Sequence, residues 1–303
     1  MFYEIIPQLG YSPYQMCLLF IFWSFFGWGM ECCVHTLKMG AYSDRGFLSM
    51  PLCPIYGFGV LIINIALSGL VEHPLLMFVC SAAICTTFEF LVGVAMKKLF
   101  HAMWWDYSDE HFNFHGYICL KVTLEWGIAC VLAECVARPV VEGVLFMIPR
   151  LPGTVFIIVM GVLIIIDTVM SVMTVNHINV ELKELTDLTG AMYDLADRIG
   201  RNLGETALET QERGNEIYAA AYLAGENVSE SLETISSDIK TSTEEQLERM
   251  RRRYDAIAAF TNRRERRMLN AFPTMHSTEY SDAFETVRKK LRESIGGKRK
   301  DAE

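Results

Sequence analysis

Charged side chains are scarce in the first 175 residues of this chain. Only 7 of the 27 basic residues and 12 of the 36 acidic residues lie there, although the chain has 303 residues and is 51% hydrophobic. The remaining 20 basic and 24 acidic residues follow. This segregation excludes one uniform soluble globule. It indicates a membrane domain at residues 1–176 and a water-soluble extension after it.

Motifs of common enzymes and metal sites are also missing. The sequence has no G-x-x-x-x-G-K-[ST] phosphate loop, so the chain cannot be its own ATPase, and neither H-E-x-x-H nor G-x-S-x-G occurs. Its nine cysteines lack the paired C-x-x-C or Cys/His spacing of zinc sites, and we expect them to be reduced packing residues. We therefore predict neither an enzyme nor a cofactor.

Five apolar stretches are long enough to cross a bilayer, because a helix needs about 20 residues to span the roughly 30 Å hydrocarbon core. They lie at about 14–37, 52–71, 74–96, 116–137 and 153–175. The sequence thus predicts an all-α, polytopic membrane helix bundle of about five transmembrane helices. Apolar residues continue after the fourth stretch to Met147, which suggests an interfacial or re-entrant segment.

Basic residues indicate how this bundle is oriented. Lys38 and Arg45 flank the first loop, and Lys97 and Lys98 open the third. The positive-inside rule places these loops in the cytoplasm, the N-terminus outside and the long tail inside. The predicted location is the cytoplasmic membrane, with several passes.

Four acidic residues lie inside the apolar stretches at one predicted depth: Glu31, Glu89, Glu125 and Asp167. At 1.5 Å per residue, all four fall roughly 9–14 Å below the cytoplasmic surface. A carboxylate in hydrocarbon costs several kcal/mol unless it is paired, protonated or hydrated, so such residues are functional candidates. We predict a polar pocket between helices.

Three more residues are assigned to this pocket. Tyr56 lies in the Gly/Pro-rich entry to the second helix, and Asp106 and Asn113 would lie at the mouth, in the third loop. The alternative is structural, because Asp106 can cap backbone amides and Asn113 can cap the fourth helix.

The tail at residues 177–272 has helical periodicity. Apolar residues recur at three-four spacing, which is typical of an amphipathic helix or loose coiled coil that could self-associate: Leu182, Leu185, Leu188, Met192, Leu195, Ile199 and Leu203. Glycines at 190, 200, 204, 214 and 225 each cost up to about 1 kcal/mol in a helix. We therefore expect a jointed stalk and not a continuous rod.

A basic segment follows at 273–303. Ser277 or Thr278 can cap a short amphipathic helix that Gly296-Gly297 would end. The basic side of this helix consists of Arg288, Lys289, Lys290 and Arg292. We predict that it binds anionic lipid, and the alternative is that the helix docks onto the acidic part of the stalk. No nucleic-acid-binding fold accompanies the charge, so nucleic acid is not an expected partner.

Four sequence blocks resemble a known family: FFGWGME at 25–31, GFLSMPLCPIYGFG at 46–59, TTFEF around Glu89, and WWDYSDEHFNFHGYICL at 104–120. In this order and spacing they are similar to the putative ABC-transporter type IV family of membrane proteins, over about residues 14–175. Met50 stands where glycine is usual. Tyr117 stands where arginine is common, which removes a cationic partner for the acids. The resemblance implies a permease that works with a separate ATPase subunit.

Three functions follow from these observations. The first is a transporter or permease component that binds or moves a small polar or cationic solute through the acidic pocket. The second is a membrane-anchored scaffold or sensor that acts through its cytoplasmic tail. The third is a membrane-embedded enzyme whose acids hold a metal ion.

Overall fold

Helices make up most of the structure. The computed structural model describes residues 2–7, 9–40, 42, 44–224, 245–259 and 262–300. Within these residues the strands form two short two-stranded sheets. The chain packs into two units: unit 1 comprises Met1–Asn179 with Thr261–Ser281, and unit 2 comprises Val180–Phe260 with Asp282–Glu303.

The helices are numbered in chain order. A 3-10 turn, Ser68–Leu70, extends α2, and a π-helical turn, Ala133–Ala137, joins α4 to α5. The bounds are α1 Pro13–Met39, α2 Pro54–Leu67, α3 Pro74–Phe100, α4 Leu120–Leu132, α5 Arg138–Leu145, α6 Arg150–Ala224, α7 at 245–258, α8 Arg263–Ala271 and α9 Ser281–Lys300.

Among the described residues, three helical segments are long and apolar enough to cross a membrane. They are Pro13–Leu37, Pro74–Phe100 and Arg150–Arg198. Pro54–Leu70 is a shorter apolar helix. The structure confirms the helical fold class, while the count of five spans stays a prediction. The run from α4 to α5 continues without a break to Leu145.

Glycines allow the helices of unit 1 to pack closely. A Cβ added at Gly27 of α1 would overlap the ring of Tyr56 on α2, and one at Gly57 would lie 2.7 Å from the carbonyl oxygen of Phe20. Between α3 and α4, a Cβ at Gly127 would lie 2.6 Å from the Phe78 ring. Small residues at such contacts are typical of membrane helix pairs, where helix backbones must approach each other.

The third loop forms a hairpin. Strands β2 (Asn113–Phe114) and β3 (Ile118–Cys119) pair antiparallel, and α4 begins directly after them. The predicted role of Asn113 as a cap of the fourth helix is wrong, because Cys119 occupies the cap position. The Asn113 side-chain nitrogen instead donates to the carbonyl oxygens of Ser108 at 3.0 Å and Glu110 at 2.8 Å.

Helix α8 and strand β4 (His276–Ser277) pack within unit 1. Strand β4 pairs antiparallel with β1 (Ala102–Met103), and the Phe272 ring lies 4.8 Å from the Trp104 ring. The predicted boundaries at 176 and 272 differ from this division. The reason is physical. Helix α8 buries Met268 and Leu269 on an apolar face, and in the sequence this apolar pattern looks like a continuation of the stalk.

The prediction of a jointed stalk is wrong as far as residue 224. Helix α6 passes through the glycines at 190, 200, 204 and 214 without interruption. Each glycine costs only about 1 kcal/mol, because it still forms its backbone hydrogen bonds. Helix formation is cooperative, so the long flanking helical segments compensate for this cost. The predicted stripe begins with Leu182 and Leu185, both fully buried. Residues 225–244 lie outside the described residues.

Helix α9 differs from its predicted bounds. It starts at Ser281 and continues through Gly296 and Gly297 to Lys300. The Ser277 hydroxyl accepts from the Tyr280 backbone nitrogen at 3.0 Å, so it closes a turn ahead of the helix. The apolar face of α9 is buried at Phe284, Val287 and Leu291.

The close contact of α1 with α2 predicts a difference between two glycines of α1. Gly27→Ala places a methyl group against Tyr56, whereas nothing lies within 4 Å of a Cβ at Gly29. We expect Gly27→Ala to destabilise the protein by about 1–3 kcal/mol, as overpacking typically does. Thermal unfolding of the purified protein measures this, with Gly29→Ala as the control. Equal melting temperatures for the two variants would contradict the close contact.

Candidate functional site

Two of the predicted pocket acids are joined by aromatic side chains. The Tyr56 hydroxyl on α2 donates to Glu31 of α1 at 2.6 Å. The ring centroids of Tyr56 and Trp126 are 5.4 Å apart, and the indole nitrogen of Trp126 on α4 donates to Glu89 of α3 at 3.0 Å. Four helices therefore meet at this network.

Tyr107 brings the third loop to the same network. Its hydroxyl donates to Glu89 at 3.2 Å. Burial, and then the nearby Glu89 carboxylate, raise the pKa of Tyr107. The hydroxyl therefore stays protonated and remains a hydrogen-bond donor. Glu89 is 6% exposed. It receives hydrogen bonds from two neutral donors, the Tyr107 hydroxyl and the Trp126 indole nitrogen.

Arg45 is the basic member of the network and was missed as a site residue. Its guanidinium lies 3.6 Å from Glu31, donates to the carbonyl oxygen of Ala271, and lies 5.6 Å from the centre of the Phe272 ring. From the sequence, Arg45 served only to predict the orientation of the bundle. Its position directly before the Gly/Pro-rich segment was the available signal, but that signal is weak because cytoplasmic loops commonly carry basic residues.

A second ion pair lies beside Arg45. Asp44 accepts from the Trp28 indole nitrogen at 2.9 Å and lies 3.6 Å from Arg267 of α8. The same arginine donates to the carbonyl oxygens of Gly46 and Phe47, both at 3.3 Å. The charges of Asp44 and Arg267 thus cancel. We therefore leave this pair out and define the inner cluster as Glu31, Glu89, Arg45, Tyr56, Tyr107 and Trp126.

A small cavity adjoins this inner cluster. Its volume is about 40 Å³, and its lining includes Tyr56, Glu89, Trp126, Cys85 and Cys130. Because about 10–15 Å³ of free volume accommodates one water molecule, the cavity has room for a few waters or one compact ion. A larger solute would require the helices to move.

The other predicted pocket residues lie apart from the inner cluster. Glu125 is exposed on α4. Asp167 is 7% exposed and accepts from the Met50 backbone nitrogen at 2.8 Å, so it holds the segment that leads to α2. Asp106 accepts from the Ser108 backbone nitrogen at 2.9 Å, which is the structural alternative weighed for it.

A second charged cluster was missed entirely. Arg138 donates to Glu134 at 2.9 Å and to Glu142 at 2.9 Å, and the Tyr11 hydroxyl donates to Glu142 at 2.5 Å. The side-chain amide of Asn64, with its nitrogen turned towards Glu134, donates to Oε2 at 3.0 Å. We call these five residues the outer cluster. The signal in the sequence was the spacing of four between its three charged residues.

The residues predicted to bind the membrane surface lie on α9 of unit 2. Lys290 pairs with Asp255 at 2.5 Å, and the hydrogen bond from Lys290 lowers the pKa of Asp255. Arg288 lies 4.9 Å from the centre of the Phe284 ring, and Lys289 is exposed. The side chain of Arg292 lies outside the described ones. Lipid binding by this surface stays a prediction.

The contact of Asp167 predicts that its acceptor oxygen matters more than its charge. Asp167→Asn keeps a carbonyl oxygen for the Met50 amide, whereas Asp167→Ala leaves that partly buried donor without this acceptor. We expect Asp167→Ala to cost about 1–3 kcal/mol and Asp167→Asn much less. Thermal unfolding of both variants measures this. An asparagine variant as unstable as the alanine variant would show that the charge is required.

One comparison identifies the family of the chain. A family model described as "Putative ABC-transporter type IV" matches residues 18–172, just over half of the chain. This range contains most of the inner and outer clusters. No match is found among curated proteins or among solved structures. The chain therefore belongs to the putative ABC-transporter type IV family.

Proposed function

We propose that this chain is the membrane component of a transporter that binds or moves a compact polar or cationic solute through the inner cluster. The observation that carries the proposal is the charge of that cluster. The cluster contains two carboxylates, Glu31 and Glu89, and one guanidinium, that of Arg45, which pairs with Glu31. Its charge is therefore −1 when both acids are ionised. A cation next to Glu89 would neutralise it.

The size of the site supports a compact solute. The cavity beside Glu89 has about 40 Å³ of free volume, and its other lining residues are mostly apolar. An isolated charge in such surroundings is strongly disfavoured. A single small cation in the cavity would not be isolated, because it would contact the Glu89 carboxylate. It would also contact the faces of Tyr56 and Trp126, and aromatic faces attract cations.

The family supports a membrane location and a separate ATPase component as partner, because the chain has no phosphate-binding loop of its own. We propose five spans, in which Pro54–Leu70 and the run at 120–145 add to the three long apolar segments. The run at 120–145 is about 39 Å long at 1.5 Å per residue. This count keeps the N-terminus outside and the tail in the cytoplasm.

Trp126 provides a direct test, because it contacts Glu89 and should report ligand binding by its fluorescence. The purified protein is titrated with ammonium, methylammonium and guanidinium chloride. We expect at least one of these cations to give a saturable change. We expect Glu31→Gln and Glu89→Gln to weaken it by about tenfold or more, since removing a charged partner costs about 1.5–3 kcal/mol.

Glu125→Gln is the matched control, since Glu125 is exposed on α4 and outside the cluster. Trp126→Phe should remove the signal itself. Equal affinities for Glu89→Gln and Glu125→Gln, or no saturable change with any of the three cations, would contradict binding at the inner cluster.

The second candidate function is a scaffold that acts through the tail. The observation in its favour is that α6 continues for 26 residues beyond Arg198, to Ala224. A simple truncation cannot separate the two functions, because residues 261–281 belong to unit 1. His177 lies 3.0 Å from Glu265, so both ends of a deletion of 182–261 are close together.

We expect a variant in which a Gly/Ser linker of about twelve residues replaces 182–261, and which ends at 281, to keep cation binding. A variant that ends at 179 should lose it, because α8 and its contact with Arg45 are gone. Fluorescence titration of both variants measures this. If both bind cations as well as the full chain, α8 does not support the inner cluster.

A further inference from the structure

The inner and outer clusters have the residue types glutamate, arginine and tyrosine in common. Each contains two glutamates, one arginine that pairs with at least one of them, and a tyrosine hydroxyl that donates to a glutamate. In the inner cluster these are Glu31, Glu89, Arg45 and Tyr56, and in the outer cluster Glu134, Glu142, Arg138 and Tyr11. Each cluster therefore carries a charge of −1 when both of its acids are ionised.

A charge of −1 is costly where these clusters lie. Glu89 is 6% exposed and Glu134 is 2% exposed, so solvent screens neither carboxylate well. One proton would make either cluster neutral, and charge neutrality is favoured in a medium of low dielectric constant. The neighbouring groups do not change this balance. Asn64 is neutral, and Asp44 and Arg267 cancel each other.

The cavity beside the inner cluster extends along α4 in the direction of the outer cluster. Glu89 and Cys85 of α3 line the cavity together with Cys130 of α4, and the two sulfur atoms are 3.6 Å apart. Cys130 precedes Glu134 by four residues, or about one helical turn. Trp126, which donates to Glu89, precedes Glu134 by eight residues, or about 12 Å along the helix. The lining of the cavity ends at Cys130, so a proton path to Glu134 requires waters to enter the remaining helical turn.

The local structure at Glu134 also marks a functional position. Glu134 belongs to the π-helical turn Ala133–Ala137, in which the Arg138 backbone nitrogen bonds to the carbonyl oxygen of Ala133. Single π-helical turns occur frequently at functional sites. Chains of buried acids form the proton relays of membrane pumps and transporters.

We propose that the two clusters are the two ends of a proton path. Protons pass between Glu89 and Glu134 through waters that enter the cavity and the helical turn between Cys130 and Glu134. In each transfer the O–H bond of one carboxylic acid breaks as a water oxygen takes its proton, and the proton released by the last water forms an O–H bond on the other carboxylate. Coupling of this path to a solute rests on the proposed function, whereas proton passage does not.

The test uses the full chain in liposomes. Valinomycin and potassium hold the membrane potential at zero, a step of external pH is applied, and a trapped pH-sensitive dye reports the flux. We expect wild-type protein to carry protons, and Glu89→Gln and Glu134→Gln to reduce the rate by about tenfold or more, as loss of a proton-transferring group typically does. Glu125→Gln, on the same helix as Trp126 but exposed, is expected to keep the wild-type rate.

A second measurement separates this proposal from the proposed function. Glu134→Gln should bind cations at the inner cluster with wild-type affinity in the Trp126 titration, while its proton flux is lost. Should Glu134→Gln not be recovered folded, Glu142→Gln, which removes the other acid of the outer cluster, takes its place.

Two results would overturn the path: a wild-type flux in a folded Glu134→Gln or Glu142→Gln variant, or a wild-type protein that binds a cation but carries no protons. The second result would leave the proposed function intact. Proton flux without cation binding would instead overturn the proposed function and support the path.

Discussion

The cost of burying carboxylates constrains how the helices of unit 1 pack. In a bilayer, apolar side chains gain little by touching each other instead of lipid, so hydrogen bonds and close backbone contacts carry more of the specificity. Each buried acid here has a partner on another segment. Trp126 of α4 donates to Glu89 of α3, and the Met50 amide donates to Asp167 of α6. These bonds, with the glycine contacts, determine which helices are neighbours.

Arg45 connects Glu31 of the inner cluster to helix α8. Its guanidinium contacts Glu31 on one side and the Ala271 carbonyl oxygen on the other. A cation that binds Glu31 would compete with Arg45, and the position of Arg45 depends on α8. The segment that sequence patterns assigned to a separate stalk therefore influences the charge available at the inner cluster.

The sequence predicted the features that depend on local patterns. It placed the first three apolar helices to within about four residues, whereas the fourth and fifth continue well beyond their predicted ends. It also selected Glu31, Tyr56 and Glu89, which the structure brings together. Depth alone could not show that Glu125 faces outward, because helical rotation depends on packing. The return of α8 to unit 1 is a contact between residues more than 200 positions apart, such as Arg45 and Ala271, and no local pattern encodes it.

The outer cluster shows why regular periodicity can fail. Five residues on the run from α4 to α5 are spaced by four: Trp126, Cys130, Glu134, Arg138 and Glu142. A step of four residues overshoots one α-helical turn by about 40°, so four steps would rotate the last residue by about 160° from the first. The π-helical turn at Ala133–Ala137 contains more residues per turn and reduces that rotation.

Pro139 gives this turn a physical cause. Proline has no amide hydrogen and cannot bond to the carbonyl group four residues earlier, which here belongs to Cys135, so the regular ladder is interrupted in this turn. The wider turn keeps Glu134 and Arg138 nearer to the side of the helix that carries Trp126 and Cys130. Pro139 therefore favours the alignment of the two clusters along this run.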